Sequence, residues 1–528
     1  LDLVTQVGLR ALERINGKDY LHFDFPVTES ERKQLVSDIV SGDIVHHRYL
    51  PFISFEIRFR IYHARQKSVQ AKARRIMLPS HHDALMYRFY GQALNRLYSD
   101  YALSHHINDV AVAYRERHPG VHLSNITTAK EVFDRITALS KSWVIKGDFH
   151  HFFDTLSHRY LGTNLQKVFS GNLPKDWKKM FRAITQCQSI SRKTLEKQLQ
   201  TAHIKVAYRT HHSDQSNARA YVKNLQELGK LIQDKKIRLS GKNRVGIPQG
   251  TAVSAVLANV YMIDFDEWLA KLCEKEGGLY RRYSDDFIIV LPQKQFSEES
   301  VKTFAMGVIQ RSKTELGLKI ESTKTKLYSY DQDNHSVMLY PIQETGKQRS
   351  GRIDYLGFVF DGISVSMRSK SIYKFIYRGR RKVGKYVTLG RLYDQVKNGF
   401  SDSDIIQNQM AFKYNTRSEK SKKRPVVPNI YQTVQTLHRL QQIREMKYET
   451  LRAIHKGVTI RYLSAEVKNP RASMLAYASR AQQIFEVGQP KYRIVILRQV
   501  LRQIKHNQKK LHQGRDNYKH WRYSKYQF

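Results

Sequence analysis

Tyr280-Arg281-Arg282-Tyr283-Ser284-Asp285-Asp286-Phe287-Ile288-Ile289-Val290 decides the fold, because it sets two adjacent carboxylates in a tight turn between two strand-like runs. Acids side by side at the tip of an apolar hairpin repel each other and lose hydration unless a cation sits between them. A hard divalent ion with oxygen ligands, Mg²⁺ first among them, relieves that conflict. Ser and Asp also favour turns in their own right, so the pair taken alone reads equally as a plain turn. Upstream, Lys146-Gly147-Asp148-Phe149-His150-His151-Phe152-Phe153-Asp154 places Asp148 directly after the apolar run Trp143–Ile145, near the end of a buried strand. Asp154 precedes Thr155-Leu156-Ser157-His158 and a helical pattern, and reads as a helix N-cap.

Between the two acidic segments lies Gly246-Ile247-Pro248-Gln249-Gly250-Thr251-Ala252-Val253-Ser254-Ala255-Val256-Leu257-Ala258-Asn259. Its glycines let backbone approach a ligand closely, Gln249 offers an amide, and small residues follow on a helix. The order Asp148, then Pro248-Gln249-Gly250, then Tyr283-x-Asp285-Asp286 resembles the palm domain of reverse transcriptases. Gly317-Leu318-Lys319-Ile320-Glu321-Ser322-Thr323-Lys324-Thr325 is similar to that family's lysine-bearing motif. Ile353-Asp354-Tyr355-Leu356-Gly357-Phe358 is similar to its primer grip, and Arg74-Arg75-Ile76-Met77-Leu78-Pro79 and Ala113-Tyr114-Arg115 to parts of its fingers. The resemblance spans roughly residues 70–362.

The resemblance implies nucleotidyl transfer with two Mg²⁺ ions, or Mn²⁺ in their place, held by Asp148 and Asp285, with Asp286 supporting and the Phe149 carbonyl as a further ligand. Phe153 then stands against the sugar 2′ position and favours deoxynucleotides, besides packing in the core. Gln249 is expected to meet the incoming dNTP or the template base. Arg75, with Arg74 or Lys72, is expected on the triphosphate, where a guanidinium fork suits phosphate. Lys324 is assigned to the leaving pyrophosphate, and Tyr355, Leu356, Gly357 and Phe358 to the primer grip. Five His pairs invite a zinc site, but none has ligand spacing and no Cys lies near, so zinc is rejected.

Across 528 residues the formal net charge is +43, far beyond ordinary solubility tuning, which predicts a polyanionic partner. Nucleic acid is favoured over membrane. The charge-free run Val245–Ile263 opens with Gly246 and Pro248 and reads as a turn into a buried helix rather than a span. Two cysteines fit a reducing cytosol, and no signal peptide is read. The excess is uneven: residues 361–528 carry a net +26 and the first 360 a net +17. The expected domains are an N-terminal region with fingers over 1–140, a palm over 141–362 with a fingers insertion at about 161–244, and a helical basic region over 363–528. Strands are expected at Trp143–Ile145, Phe287–Leu291 and Tyr355–Phe360, and long helices around Ile430–Ile454 and Lys491–Gln508. Ser418–Asn429 reads as a basic loop.

Near the C-terminus, an apolar stripe of Ile494, Leu497, Leu501 and Ile504 runs beside a basic stripe of Arg498, Arg502, Lys505 and Lys509, which favours phosphate contact. Trp521 and Tyr523 stand among cations, a composition suited to stacking on single strands. The expected architecture is α+β: a right-hand polymerase with fingers and a ferredoxin-like palm, followed by a mostly α-helical basic C-terminal domain. Ser254-Ala255 and Ser284 depart from the intron-type pattern and look more like bacterial defence-associated, abortive-infection reverse transcriptases. That subgroup implies a cytoplasmic homo-oligomer that copies a dedicated non-coding RNA, or synthesises DNA without template, in antiphage defence. Alternatives are a retron or group II intron-type enzyme, a nonenzymatic RNA-binding scaffold with a relic palm, and an RNA polymerase, which Phe153 disfavours.

Overall fold

A computed structural model describes residues 2–13, 20–63, 68–118, 121–122, 124–209, 218–321, 325–342, 348–407, 430–465 and 473–513. Lys324, Trp521, Tyr523 and the loop Ser418–Asn429 lie outside them, as do the side chains of Lys72 and Lys509. The chain divides into two compact units. One comprises residues 1–124, 139–331 and 338–350; the other comprises 125–138, 332–337 and 351–528.

In the first unit, β1 (Phe52–His63) and β2 (Ser68–Leu78) form a long antiparallel hairpin, in register from Ile53↔Leu78 to His63↔Ser68. Its root, with Phe52, Ile53 and Met77, is buried, whereas Ile57 and Phe59 farther out are exposed. Helix α1 (His81–Ser104) follows, started by Ser80, whose hydroxyl accepts the Asp83 N–H. The main sheet contains β3 (Lys141–Asp148), with β4 (Ser189–Ser191) lying instead beside β1. After helices α2 (Ala252–Tyr261) and α3 (Ile263–Lys275) come β5 (Leu279–Tyr283), β6 (Asp286–Pro292), helix α4 (Glu298–Leu316) and β7 (Lys326–Asp331). Strands β8 (Ser336–Tyr340) and β9 (Arg349–Ser350) complete a six-stranded sheet in the order β9-β8-β7-β3-β6-β5. From β3 to β7 the chain runs β-α-β-β-α-β, with β3 and β6 central.

The central strands read as unbroken apolar runs because both of their faces are covered. Val144 and Ile145 are buried, as is every residue from Phe287 to Leu291. Each such side chain contributes roughly 1.5–3 kcal/mol by leaving water. Packing between β3 and β6 leaves no slack: a Cβ on Gly147 would stand 2.5 Å from the Phe287 ring. The charge-free stretch Val245–Ile263 runs through α2, buried at Val253, Val256, Leu257, Ala258, Val260 and Tyr261, to the first residue of α3. No described helix is long and apolar enough to cross a membrane.

The second unit has a four-stranded sheet of β10 (Ile353–Tyr355), β11 (Phe358–Phe360), β12 (Ser364–Met367) and a later strand, β13 (Arg493–Ile494). Its helices are α5 (Ser369–Lys397), α6 (Ile430–Arg444), α7 (Tyr448–Leu463), α8 (Met474–Glu486) and α9 (Ile496–Gln513), with β13 just before α9. The helix Asn125–Ala138 belongs here too, packing Phe133 against Phe360 and Phe485.

Several sequence expectations need correcting. Tyr355–Phe360 is a hairpin, not one strand, because Leu356 and Gly357 both take positive φ (46° and 96°), the backbone of a two-residue turn. Asp154 caps nothing; it lies inside the short helix Phe152–Thr155, and Ser157 caps the helix His158–Val168 instead. The pattern Ile430–Ile454 breaks at 445–447, where the chain folds so that Leu440, Ile443 and Leu451 share one small core. Helix α9 begins only at Ile496, and its buried face is Ile496, Val500, Ile504 and Asn507; Leu497 and Leu501 are half-buried.

Candidate active site

The antiparallel register of β3 and β6 sets Asp286 directly opposite Asp148. Just beyond the ladder, the Phe149 N–H donates to the Asp285 carbonyl at 3.0 Å, so the β5–β6 turn and the end of β3 are one hydrogen-bonded unit. The turn is tight: Ser284 has φ +59° and is buried, a conformation that costs a non-glycine residue roughly 1–2 kcal/mol. Like charges directly opposite each other across strands are unfavourable, and here Asp286 stands opposite Asp148, with Asp285 next in the chain.

Their electrostatics register the crowding. The Asp285 pKa is raised, first because the carboxylate loses hydration against the protein and then because Asp148 repels it; the positive charge of Arg74 works the other way. One oxygen of Asp148, Oδ1, is buried without a hydrogen-bond donor. A desolvated carboxylate beside a buried oxygen with no donor fits a hard divalent cation. Among the described residues no three Asp, Glu, His or Cys side chains form a ready-made metal cage. Such a donor set suits an ion that takes its remaining ligands from water or phosphate, as Mg²⁺ does.

Gln249 and its loop are fixed by backbone bonds on two sides. Gly246 N–H donates to Leu156 O and Ile247 N–H to Phe153 O, while Met77 N–H of β2 donates to Gln249 O, each at 2.8 Å. Two glycines are required. Gly246 (φ +80°) would put a Cβ 2.6 Å from Asp154 O, and Gly250 (φ +125°) would put one 2.8 Å from Met77 O. Thr251 then caps α2 by accepting the Ser254 N–H. The structure thereby brings Gln249, Phe153 and the root of β2 together, with Phe153 half-buried and set edge-on to Phe152. Arg74 and Arg75 are exposed on β2, and Arg75 donates to Ser189 Oγ at 2.9 Å.

In the second unit, Tyr355 and Phe358 are fully buried core, which leaves the Leu356–Gly357 turn as the accessible part of that segment. The Asn125 amide holds this turn by donating to Leu356 O at 3.1 Å and to Tyr477 Oη at 2.7 Å. Arg498, Arg502 and Lys505 are exposed along a groove of about 700 Å³ between α8 and α9, floored by Ile494, Leu497 and Leu501.

Sequence reasoning missed several residues. His158 reaches Gly246 O at 2.7 Å and steadies the Gln249 loop. Helix α5 exposes Tyr373 and Tyr377, stacked at 6.3 Å, with Arg381 over Tyr377; no acid occurs in it before Asp394, a signal that was present in the sequence. Beneath the carboxylate turn lies a fully buried Arg282, for which the only sequence hint was an arginine inside an apolar hairpin.

A family model described as "Reverse transcriptase (RNA-dependent DNA polymerase)" matches residues 72–360, more than half of the chain. Among solved structures, the chain is similar to telomerase from Candida albicans in complex with a TWJ fragment of telomeric RNA. Identity there is 14% and the TM-score 0.32, over 87% of this chain and 71% of that one. It is also similar to apo telomerase from Candida tropicalis, at 11% identity and a TM-score of 0.37, over 90% of this chain and 73% of that one. No curated protein matches significantly.

Proposed function

The chain belongs to the reverse transcriptase family and is an RNA-directed DNA polymerase; from that premise we propose that it extends a primer 3′-hydroxyl with dNTPs at Asp148, Asp285 and Asp286. The observation that carries the assignment is the β3–β6 register, which sets Asp286 opposite Asp148 and leaves Asp148 Oδ1 buried without a donor. These carboxylates, with the Phe149 carbonyl, are the groups that would hold two divalent ions, Mg²⁺ or in its place Mn²⁺. Bound there, the ions would activate the hydroxyl and neutralise the leaving pyrophosphate. The β-α-β-β-α-β sheet is then a ferredoxin-like palm and the β1–β2 hairpin the fingers.

The chain's own residues do the positioning. Gln249, anchored between β2 and the segment after Asp148, faces the incoming nucleotide or its template base. Arg74 and Arg75 neutralise the triphosphate, with Lys72 and Lys324 assigned alongside them. Phe153 crowds a ribose 2′-hydroxyl, so dNTPs are preferred over NTPs. The Leu356–Gly357 turn, flanked by Tyr355 and Phe358, grips the primer. Replacing Phe153 by Ala tests the gate: NTP incorporation should rise relative to dNTP incorporation, and an unchanged ratio would remove Phe153 from that role.

We infer further that the template is a dedicated structured RNA and that the enzyme acts in antiphage defence in a bacterial cytoplasm, as a homo-oligomer. Ser254-Ala255, Ser284 and the strongly basic helical C-terminal part support this reading. Arg498, Arg502, Lys505 and Lys509, with Trp521 and Tyr523, would contact that nucleic acid. Sequencing the RNA and DNA that copurify from the native locus, beside an Asp285→Ala/Asp286→Ala variant, tests it. A single small RNA with matching carboxylate-dependent DNA is expected; a broad sample of cellular RNAs would contradict it.

A further inference from the structure

The guanidinium of Arg282 is fully buried one residue before the Tyr283–Asp286 turn begins, and its donors serve three different elements. Nε and Nη2 grip the Asp266 carboxylate of α3, at 2.9 Å and 2.6 Å. Nη1 donates to Asn259 Oδ1 of α2 at 3.2 Å and to the Ser284 carbonyl of the turn at 3.1 Å. The partners are themselves fixed. Asp266 also accepts from Tyr280 Oη at 2.9 Å, and Asn259 donates to Ala113 O at 3.1 Å. The Arg282 backbone is clamped as well, its N–H bonded to Val110 O at 2.8 Å and its C=O to Val112 N–H at 2.9 Å. Burial opposes the charge of Arg282, but the Asp266 carboxylate outweighs it and keeps the guanidinium protonated.

A buried ion pair is weak support for stability as such, because desolvation offsets most of the attraction. Its geometry here does something else. Ser284 holds a positive φ, and left to itself that turn would relax. The carbonyl that Nη1 engages belongs to this strained residue, immediately before Asp285. The same Nη1 is tied to α2, the helix that starts at the end of the Gln249–Gly250 loop. One side chain therefore couples the position of the carboxylate turn to the position of the nucleotide loop.

We propose that Arg282 is a positioning residue for catalysis: with Asp266 and Asn259 it locks the Ser284 turn, and so the carboxylate of Asp285, in register with the helix behind Gln249. This rests on the assignment of Asp285 to the chemistry, made above. A lysine keeps the charge beside Asp266 but is a single point donor, unable to reach Asp266, Asn259 and Ser284 O together.

The test is steady-state and active-site-titrated primer extension on the full chain for wild type, Arg282→Lys and Asp285→Asn, with melting temperatures measured in parallel. Arg282→Lys is expected to fold with a lowered melting temperature, because buried acceptors lose their donor, and to lose about 10–100-fold in kcat per active site, the scale of a misplacement of about 1 Å, with KM for dNTP changed less than about threefold. A wild-type kcat per active site in Arg282→Lys, with Asp285→Asn inactive, overturns the proposal and leaves Arg282 a purely structural pair. If Arg282→Lys does not fold, the variant Asp266→Leu/Tyr280→Phe/Arg282→Met, which removes the ion pair as a unit, decides instead. Low kcat with melting restored supports positioning, and wild-type kcat contradicts it. Full activity in Asp285→Asn would sink the underlying site assignment, an outcome distinct from failure of the brace alone.

Discussion

Two sets of arginines, one in each unit, are used in opposite ways. In the first, Arg282 is wholly buried and pairs in a fixed geometry with Asp266, Asn259 and the Ser284 carbonyl. In the second, Arg498 and Arg502 lie exposed along a groove whose floor is apolar. The charge of Arg282 fixes the position of the groups around it. The charge of Arg498 and Arg502 is left facing solvent, where it attracts a polyanion without dictating where each phosphate sits. Damage to the first should therefore appear as lost rate at any salt concentration, and damage to the second as graded, salt-sensitive loss of affinity.

The sharpest contrast is expected from Asp285→Asn, which should lower kcat about 10²–10³-fold or more, the scale of losing one electrostatic stabiliser of developing charge. Single-turnover extension measures it; a loss confined to template affinity would erase the distinction between the units. Next in size is Gly250→Ala. Its positive φ and the 2.8 Å approach to Met77 O predict roughly 1–3 kcal/mol of destabilisation and a raised KM for dNTP, read by melting and kinetics. A neutral effect would show that the Gln249 loop is not held where the structure puts it.

In the second unit, Arg498→Ala/Arg502→Ala should leave kcat at saturating template unchanged. It should flatten the plot of log affinity against log salt by about 0.7–0.9 per arginine. Anisotropy titrations at several salt concentrations check this, and an unchanged slope would remove the groove from nucleic-acid binding.

The smallest effect concerns pH. Because the Asp285 pKa is raised in the fold, by desolvation and then by Asp148, the folded state holds that proton more tightly than the unfolded chain does. Stability therefore falls as pH rises from the ordinary carboxylate value through the raised one, and the penalty is complete above it. Asp285→Asn should melt above wild type near neutral pH, a gain that vanishes below about pH 3.9. A melting gain that does not depend on pH would contradict the electrostatic cause.

How much of this was legible follows the same divide. Trp143–Ile145 and Phe287–Leu291 announced themselves because covered central strands are apolar on both faces, and the carboxylate turn because its chemistry is contiguous in sequence. Arg282 did not, since Asp266 lies sixteen residues away on another element and only the fold joins them. The Tyr355–Phe360 hairpin was hidden because Leu356 takes a backbone that leucine seldom adopts. On α9, Ile496, Leu497, Val500 and Leu501 form two adjacent apolar columns, and packing rather than period chose which one to bury. The break at 445–447 carries neither Gly nor Pro to mark it.

The most direct test of the central claim is extension of a DNA primer on an RNA template by the purified chain, with dNTPs and Mg²⁺, beside Asp285→Ala/Asp286→Ala. The account predicts full-length product from the wild type, and none from the variant or from the wild type in the presence of a chelator. Extension by the variant at the wild-type rate would contradict it, placing the chemistry somewhere other than the β3–β6 carboxylates.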